Sequence, residues 1–242
     1  MIKFFAQYGY IIATVLLLPA FIFAIAAQAK VTRTFNTFKR LPASNGKTAK
    51  EVADEMLNNA GVRDCKVQKI SGELTDNFNP KTKVVSLSES VYDSNSIASI
   101  GVAAHEVGHA IQYNKGYFPM KIRHLTIIAS NITSSMLMPL LIIGLIFNYF
   151  FAYVGLWIIL IGLLSYFLAF LANLVTLPVE FNASRRALKI LQTDGHLTPT
   201  ETNQARRVLN AAAMTYVASS LIAILQFLRI VFLIFGSSSK RK

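Results

Sequence analysis

At 242 residues, with a net charge of +12 and a mean hydropathy of +0.46, the chain is too apolar for an ordinary soluble domain. The single cysteine, Cys65, excludes an internal disulfide and argues against a thiolate metal site. The Lys and Arg excess is not interleaved with aromatics, so it points away from nucleic acid and towards a protein beside a membrane.

Four apolar stretches account for the hydropathy: residues 10–27, 125–147, 152–176 and 211–235. Each has about the 20 residues that span a bilayer as a helix. Ala27-Gln28-Ala29 resembles a signal-peptide cleavage site. Lys30, Arg33, Lys39 and Arg40 follow it at once, and such a basic flank favours a retained anchor over residues 1–29.

Residues 30–124 read as an α+β segment. After turn residues at 42–46 comes an amphipathic helix over 48–60, with Ala49, Val52, Ala53, Met56 and Leu57 apolar and Gly61 as its stop. Short strands are expected at 67–70 and 84–88, with a turn at 74–80 between them. The second strand offers a free edge to which a peptide could add, or it is purely structural. A further helix follows, capped by Ser94, Asn95 or Ser96. Ile97, Ile100, Ala104, Val107 and Ile111 recur on it at helical spacing, and Gly116 and Pro119 mark its end.

The middle stretches form a transmembrane hairpin over 125–177, turned by Asn148-Tyr149-Phe150-Phe151, whose aromatics suit a membrane interface. Residues 178–213 return as a second polar segment. Within it, Thr198-Pro199-Thr200-Glu201 reads as a capping box that opens a long helix. Residues 214–242 are a last transmembrane or membrane-associated helix, in which Arg229 is unexplained. The expected fold is thus a mainly α integral membrane protein, with about four transmembrane helices and a small α+β unit. Residues 28–124 hold 14 Lys and Arg and residues 178–213 hold five, which places both segments on the cytoplasmic face.

The chemistry lies in His105-Glu106-Val107-Gly108-His109. Two histidines four apart share a helix face and can bind one zinc together. The Glu beside the first can take a proton from zinc-bound water. This pattern points to peptide hydrolysis at zinc. The bland alternative is a core helix with two satisfied histidines. Ala103, Ala104, Gly108 and Ala110 favour the active reading, since small residues let another element pack closely against the metal.

A catalytic zinc needs a third protein ligand. His124, His196 and Glu180 are the candidates. Glu180 lies where an apolar span ends, an unusual place for an acid. Two membrane crossings separate it from His109, and an even number returns it to the same face. Its alternative role is a solvated helix-start carboxylate.

Leu74-Thr75-Asp76, Ser96-Ile97-Ala98 and His105 through Gln112 resemble segments of the YugP-like bacterial membrane zinc metallopeptidases. Pro178-Val179-Glu180-Phe181-Asn182-Ala183-Ser184 and Leu209 through Val217 are similar to that family too. A wider likeness is to the HtpX and CAAX-prenyl-protease type of membrane gluzincin, which pairs HExxH with a distal Glu in E-F-x-A-D. Here Ser184 stands where that group has an Asp that orients a metal-binding His, so Asn182 or another group is a rival for that task.

The resulting expectation is a membrane-embedded zinc endopeptidase with one Zn2+ per chain on His105, His109 and Glu180, and Glu106 as general base. Its partners are a protein or peptide substrate and the lipid bilayer, with no nucleic acid. Tyr216, then Arg206 and His196, are candidate oxyanion donors. A catalytically inactive metal-binding scaffold is the alternative. A transporter is disfavoured because no span holds an acid. Sequence does not set the oligomeric state.

Overall fold

Residues 2–123, 139–140, 142–144 and 146–238 are described by the computed structural model of the chain. Its elements are α1 (Ile2–Phe38), α2 (Ala49–Asn59), β1 (Lys66–Ile70), β2 (Asn77–Asn79), β3 (Val84–Ser88), α3 (Glu89–Tyr92), α4 (Ile97–Asn114), α5 (Ala152–Thr193) and α6 (Pro199–Ser238). Three stretches among the described residues are long and apolar enough to cross a bilayer: Tyr8–Phe38, Tyr153–Thr193 and Pro199–Phe232. The protein is a mainly helical membrane protein with a small α+β unit. The apolar stretch expected at 125–147 falls largely outside the described residues.

The chain divides into two units. One comprises the described parts of Met1–Ile25, Ile122–Leu177 and Tyr216–Lys242. Inside it Leu17, Ala20 and Leu225 are buried together, and the Phe170 and Phe227 rings stack at 6.0 Å. Leu18, Ile25, Tyr153 and Trp157 stay exposed, an apolar surface of the kind a bilayer covers.

The other unit comprises Ala26–Lys121 and Pro178–Thr215. Its first helix, α2, starts at a capping box. The Thr48 side chain accepts from the Glu51 N–H, and the Glu51 carboxylate accepts from the Thr48 N–H. The buried face of α2 is Ala49, Val52, Ala53, Met56 and Leu57, the stripe that the periodicity marks. It packs with Val85, Leu87 and Val91, and with Ile97, Ile100 and Val107 of α4, in one core. Ser96 caps α4 by accepting from the Ser99 N–H, and Gly116 follows its end at φ +64°.

Three details depart from the sequence reading. Residues 77–79, expected inside a turn, form strand β2, antiparallel to β3. Asp76 explains this: its carboxylate accepts the Ser88 N–H at 2.8 Å and also bonds the Ser88 hydroxyl, which sets the register. Burial pushes the Asp76 carboxyl up, and the bonds from Ser88 only partly offset it. Second, the sheet order is β1-β3-β2, with β1 parallel to β3. Strand β3 is therefore central and its expected free edge does not exist. Third, α5 runs unbroken through Pro178, although a boundary was expected there. Pro178 removes one backbone donor, but the Leu, Ala, Arg and Lys that follow favour helix, so the helix resumes at once.

Candidate metal centre

Helix α4 presents His105 and His109 on one face, and the 178–193 part of α5 crosses that face. Gly108 makes the crossing close: a Cβ there would sit 2.7 Å from the Ala183 carbonyl oxygen. At this crossing the His105 and His109 rings stand nearly perpendicular, 4.7 Å apart, and Glu180 enters from α5. Glu180 is only 1% exposed. Glu180 Oε2 lies 3.1 Å from His105 Nε2 and 3.5 Å from His109 Nε2. One donor atom from each of the three residues falls within 4.8 Å of the others. Donors held about 2.05 Å from a zinc at tetrahedral angles lie about 3.3 Å apart, and the two carboxylate–imidazole distances, 3.1 and 3.5 Å, bracket that value.

The hydrogen bonds behind the rings fix what His109 offers. Gln112 Nε2 donates to the Val179 carbonyl at 2.9 Å, and a carbonyl only accepts. Its other bond is to Asn182 Oδ1 at 3.0 Å, an oxygen that also accepts from Arg186 Nε at 2.7 Å. The Gln112 oxygen therefore faces His109 Nδ1 at 3.0 Å, and Nδ1 must carry the hydrogen. In the neutral ring, Nε2 then turns its lone pair towards the Glu180 carboxylate. Two electron-rich atoms that close in a buried site require a proton or a cation between them. The donor set thus fits a zinc. Behind the other ring, His105 Nδ1 lies 3.0 Å from Ser184 Oγ, so Ser184 occupies the place expected of it and Asn182 serves Gln112 instead.

The remaining sequence candidates are elsewhere. Glu106 is half-buried, next to His105 on α4. His196 is buried but faces Glu55, its Nδ1 3.6 Å from Glu55 Oε2, so it is not part of the cluster. Arg206 is exposed on α6. Tyr216 is half-buried on α6 and belongs to the other unit, one residue past Thr215. His124 lies outside the described residues. Sequence reasoning gave Gln112 no role. Its spacing from His109, three residues along one helix face, was the available signal.

Residues 13–235 match a family model described as "Putative neutral zinc metallopeptidase". The chain belongs to that family. A relative from Bacillus subtilis (strain 168), named "Putative membrane protease YugP", is 40% identical over 205 residues, covering 85% of this chain and 88% of the relative. No solved structure matches the chain significantly. In a neutral zinc metallopeptidase, two imidazoles and a carboxylate that converge on one point are a donor set suited to the reaction.

Proposed function

We propose that the protein is a membrane-bound zinc endopeptidase of the gluzincin type, in which His105, His109 and Glu180 hold one Zn2+. The observation that carries this reading is the convergence of the three donors, with the His109 lone pair aimed at a buried carboxylate. Zinc there supplies Lewis acidity, which acidifies a bound water and polarises a carbonyl. Glu106 is the general base: it takes the proton of the attacking water and returns it to the leaving amine. Tyr216 is the first candidate to donate to the oxyanion. The Lys and Arg count of residues 28–124 and 178–213 supports a cytoplasmic site, which would act on protein segments at or near that membrane face.

The test is metal removal and return. Detergent-purified protein should carry about one zinc per chain. It should cleave an unstructured protein such as casein, lose that cleavage to a strong chelator, and regain it with added zinc. Cleavage that survives complete zinc removal would sink the proposal.

Gln112→Met keeps the side chain's length but removes the acceptor for His109 Nδ1–H. Zinc affinity, measured by competition with a chromogenic chelator, should fall about 10- to 100-fold with helicity unchanged. Unaltered affinity would show that Gln112 only packs.

A further inference from the structure

Beside the candidate metal centre, still within Ala26–Lys121 and Pro178–Thr215, α5 and α6 form an open cleft of about 450 Å³. Its lining includes Phe181, Ser184, Arg185 and Lys189 of α5, and Arg206 and Asn210 of α6. No lining residue is acidic. Arg185 and Lys189 are one helical turn apart, and so are Arg206 and Asn210, so each helix turns one polar stripe to the cleft.

Lys39, Lys47, Lys50, Lys69 and Lys83 each pair with a carboxylate. The three cleft cations are exposed, and among the described residues none has a carboxylate within 4.0 Å. Three cations left together in a concave site focus positive potential into it. Ser184 lines the cleft, and its hydroxyl touches the ring of His105. From there the lining extends along α5 to Gln192. From Ser184 to Gln192 the helix rises about 12 Å, eight steps of 1.5 Å. An extended peptide covers the same distance in about three to four residues.

We propose that this cleft is a substrate subsite for acidic residues, in which Arg185, Lys189 and Arg206 receive Asp or Glu side chains about two to four residues from the bond that is cut. The proposal rests on the peptidase reading, since it places a peptide beside the zinc ligands. An anionic lipid headgroup is the competing occupant, and the experiment separates the two.

The measurement is binding of fluorescein-labelled, unstructured dodecapeptides to the zinc-loaded Glu106→Gln protein in detergent. The peptides are identical except for three central residues, which are Glu, Gln or Lys. The Glu peptide should bind about tenfold tighter than the Gln peptide, as three solvent-exposed ion pairs would give, and added salt should erode the difference. Arg185→Gln/Lys189→Gln/Arg206→Gln should bring the ratio close to one. Lys189→Glu/Arg206→Glu should reverse it in favour of the Lys peptide, a gain that misfolding cannot produce. Equal binding of the Glu and Gln peptides to the unsubstituted cleft overturns the proposal, as does a preference that persists in the triple variant. Nanodiscs with and without phosphatidylglycerol form the lipid arm. If the triple variant loses only its response to phosphatidylglycerol, the cleft takes lipid and the proposal fails. A failure of the peptidase reading would appear separately, as the absence of zinc-dependent casein turnover by the wild type.

Discussion

Glu180→Gln should yield a folded protein that carries less than about a tenth of the wild-type zinc and does not turn over, because a catalytic zinc needs three protein ligands. Gln is preferred to Ala because Glu180 is almost fully buried and Gln leaves no cavity. The substitution removes the charge that faces both Nε2 atoms and leaves the bonds behind the rings, to Ser184 and Gln112, in place. Glu106→Gln should behave differently. It keeps about one zinc per chain and loses turnover about a thousandfold, the range of a lost general base. Zinc by inductively coupled plasma spectrometry and casein cleavage, run on both variants, separate ligand from base. Full zinc in Glu180→Gln would mean that another residue completes the site, and His124 would be tested next. Undiminished turnover in Glu106→Gln would show that Glu106 is not the base, and zinc without turnover in the wild type would leave a metal-binding scaffold as the surviving reading.

Much of the unit that carries the centre was legible because its signals are local. The 3.6-residue period of α2 names the five residues that the structure buries. The Thr198–Glu201 box opens α6, with the Thr198 N–H on Glu201 Oε2 at 2.8 Å and the Glu201 N–H on Thr198 Oγ1 at 3.3 Å. Illegible features depend on partners distant in sequence. Strand β2 is three residues long with only Phe78 partly buried, so no alternation announces it; the bond from Asp76 to Ser88 does that. Gln112 looks like an ordinary helix residue until α5 brings the Val179 carbonyl and Asn182 to it. Glu201 caps its own helix, yet it also accepts the Ser44 N–H at 2.7 Å and so ties the 42–46 turn to α6. Sequence supplies the cap but not that second partner.

Gly108→Ala should weaken the centre without touching a ligand. In an unobstructed helix this change would stabilise by about 1 kcal/mol, the propensity difference between the two residues. Here the new Cβ meets backbone: the Ala183 carbonyl oxygen at 2.7 Å, its carbon at 3.2 Å and Ala183 Cα at 3.3 Å. No rotamer change relieves a clash with main chain, so α5 must move away from α4 by roughly half an ångström or more. Overpacking of this kind costs about 1–3 kcal/mol, which outweighs the propensity gain. Ala183 is three residues from Glu180 on the same helix, so the carboxylate moves with it. A zinc site tolerates about 0.2 Å in its ligand distances, less than the shift required. Zinc affinity should fall at least about tenfold while melting temperature drops only modestly. Gly101→Ala is the internal control. It lies on the same helix, but its Cβ would meet the methyl of Ala205 at 3.2 Å, away from the ligand crossing. There a displacement of a few tenths of an ångström suffices, and zinc affinity should hold. Equal affinities in wild type and Gly108→Ala would show that the crossing gives way without carrying Glu180 along, and that the closeness of α4 and α5 at this point is not what sets the donor spacing.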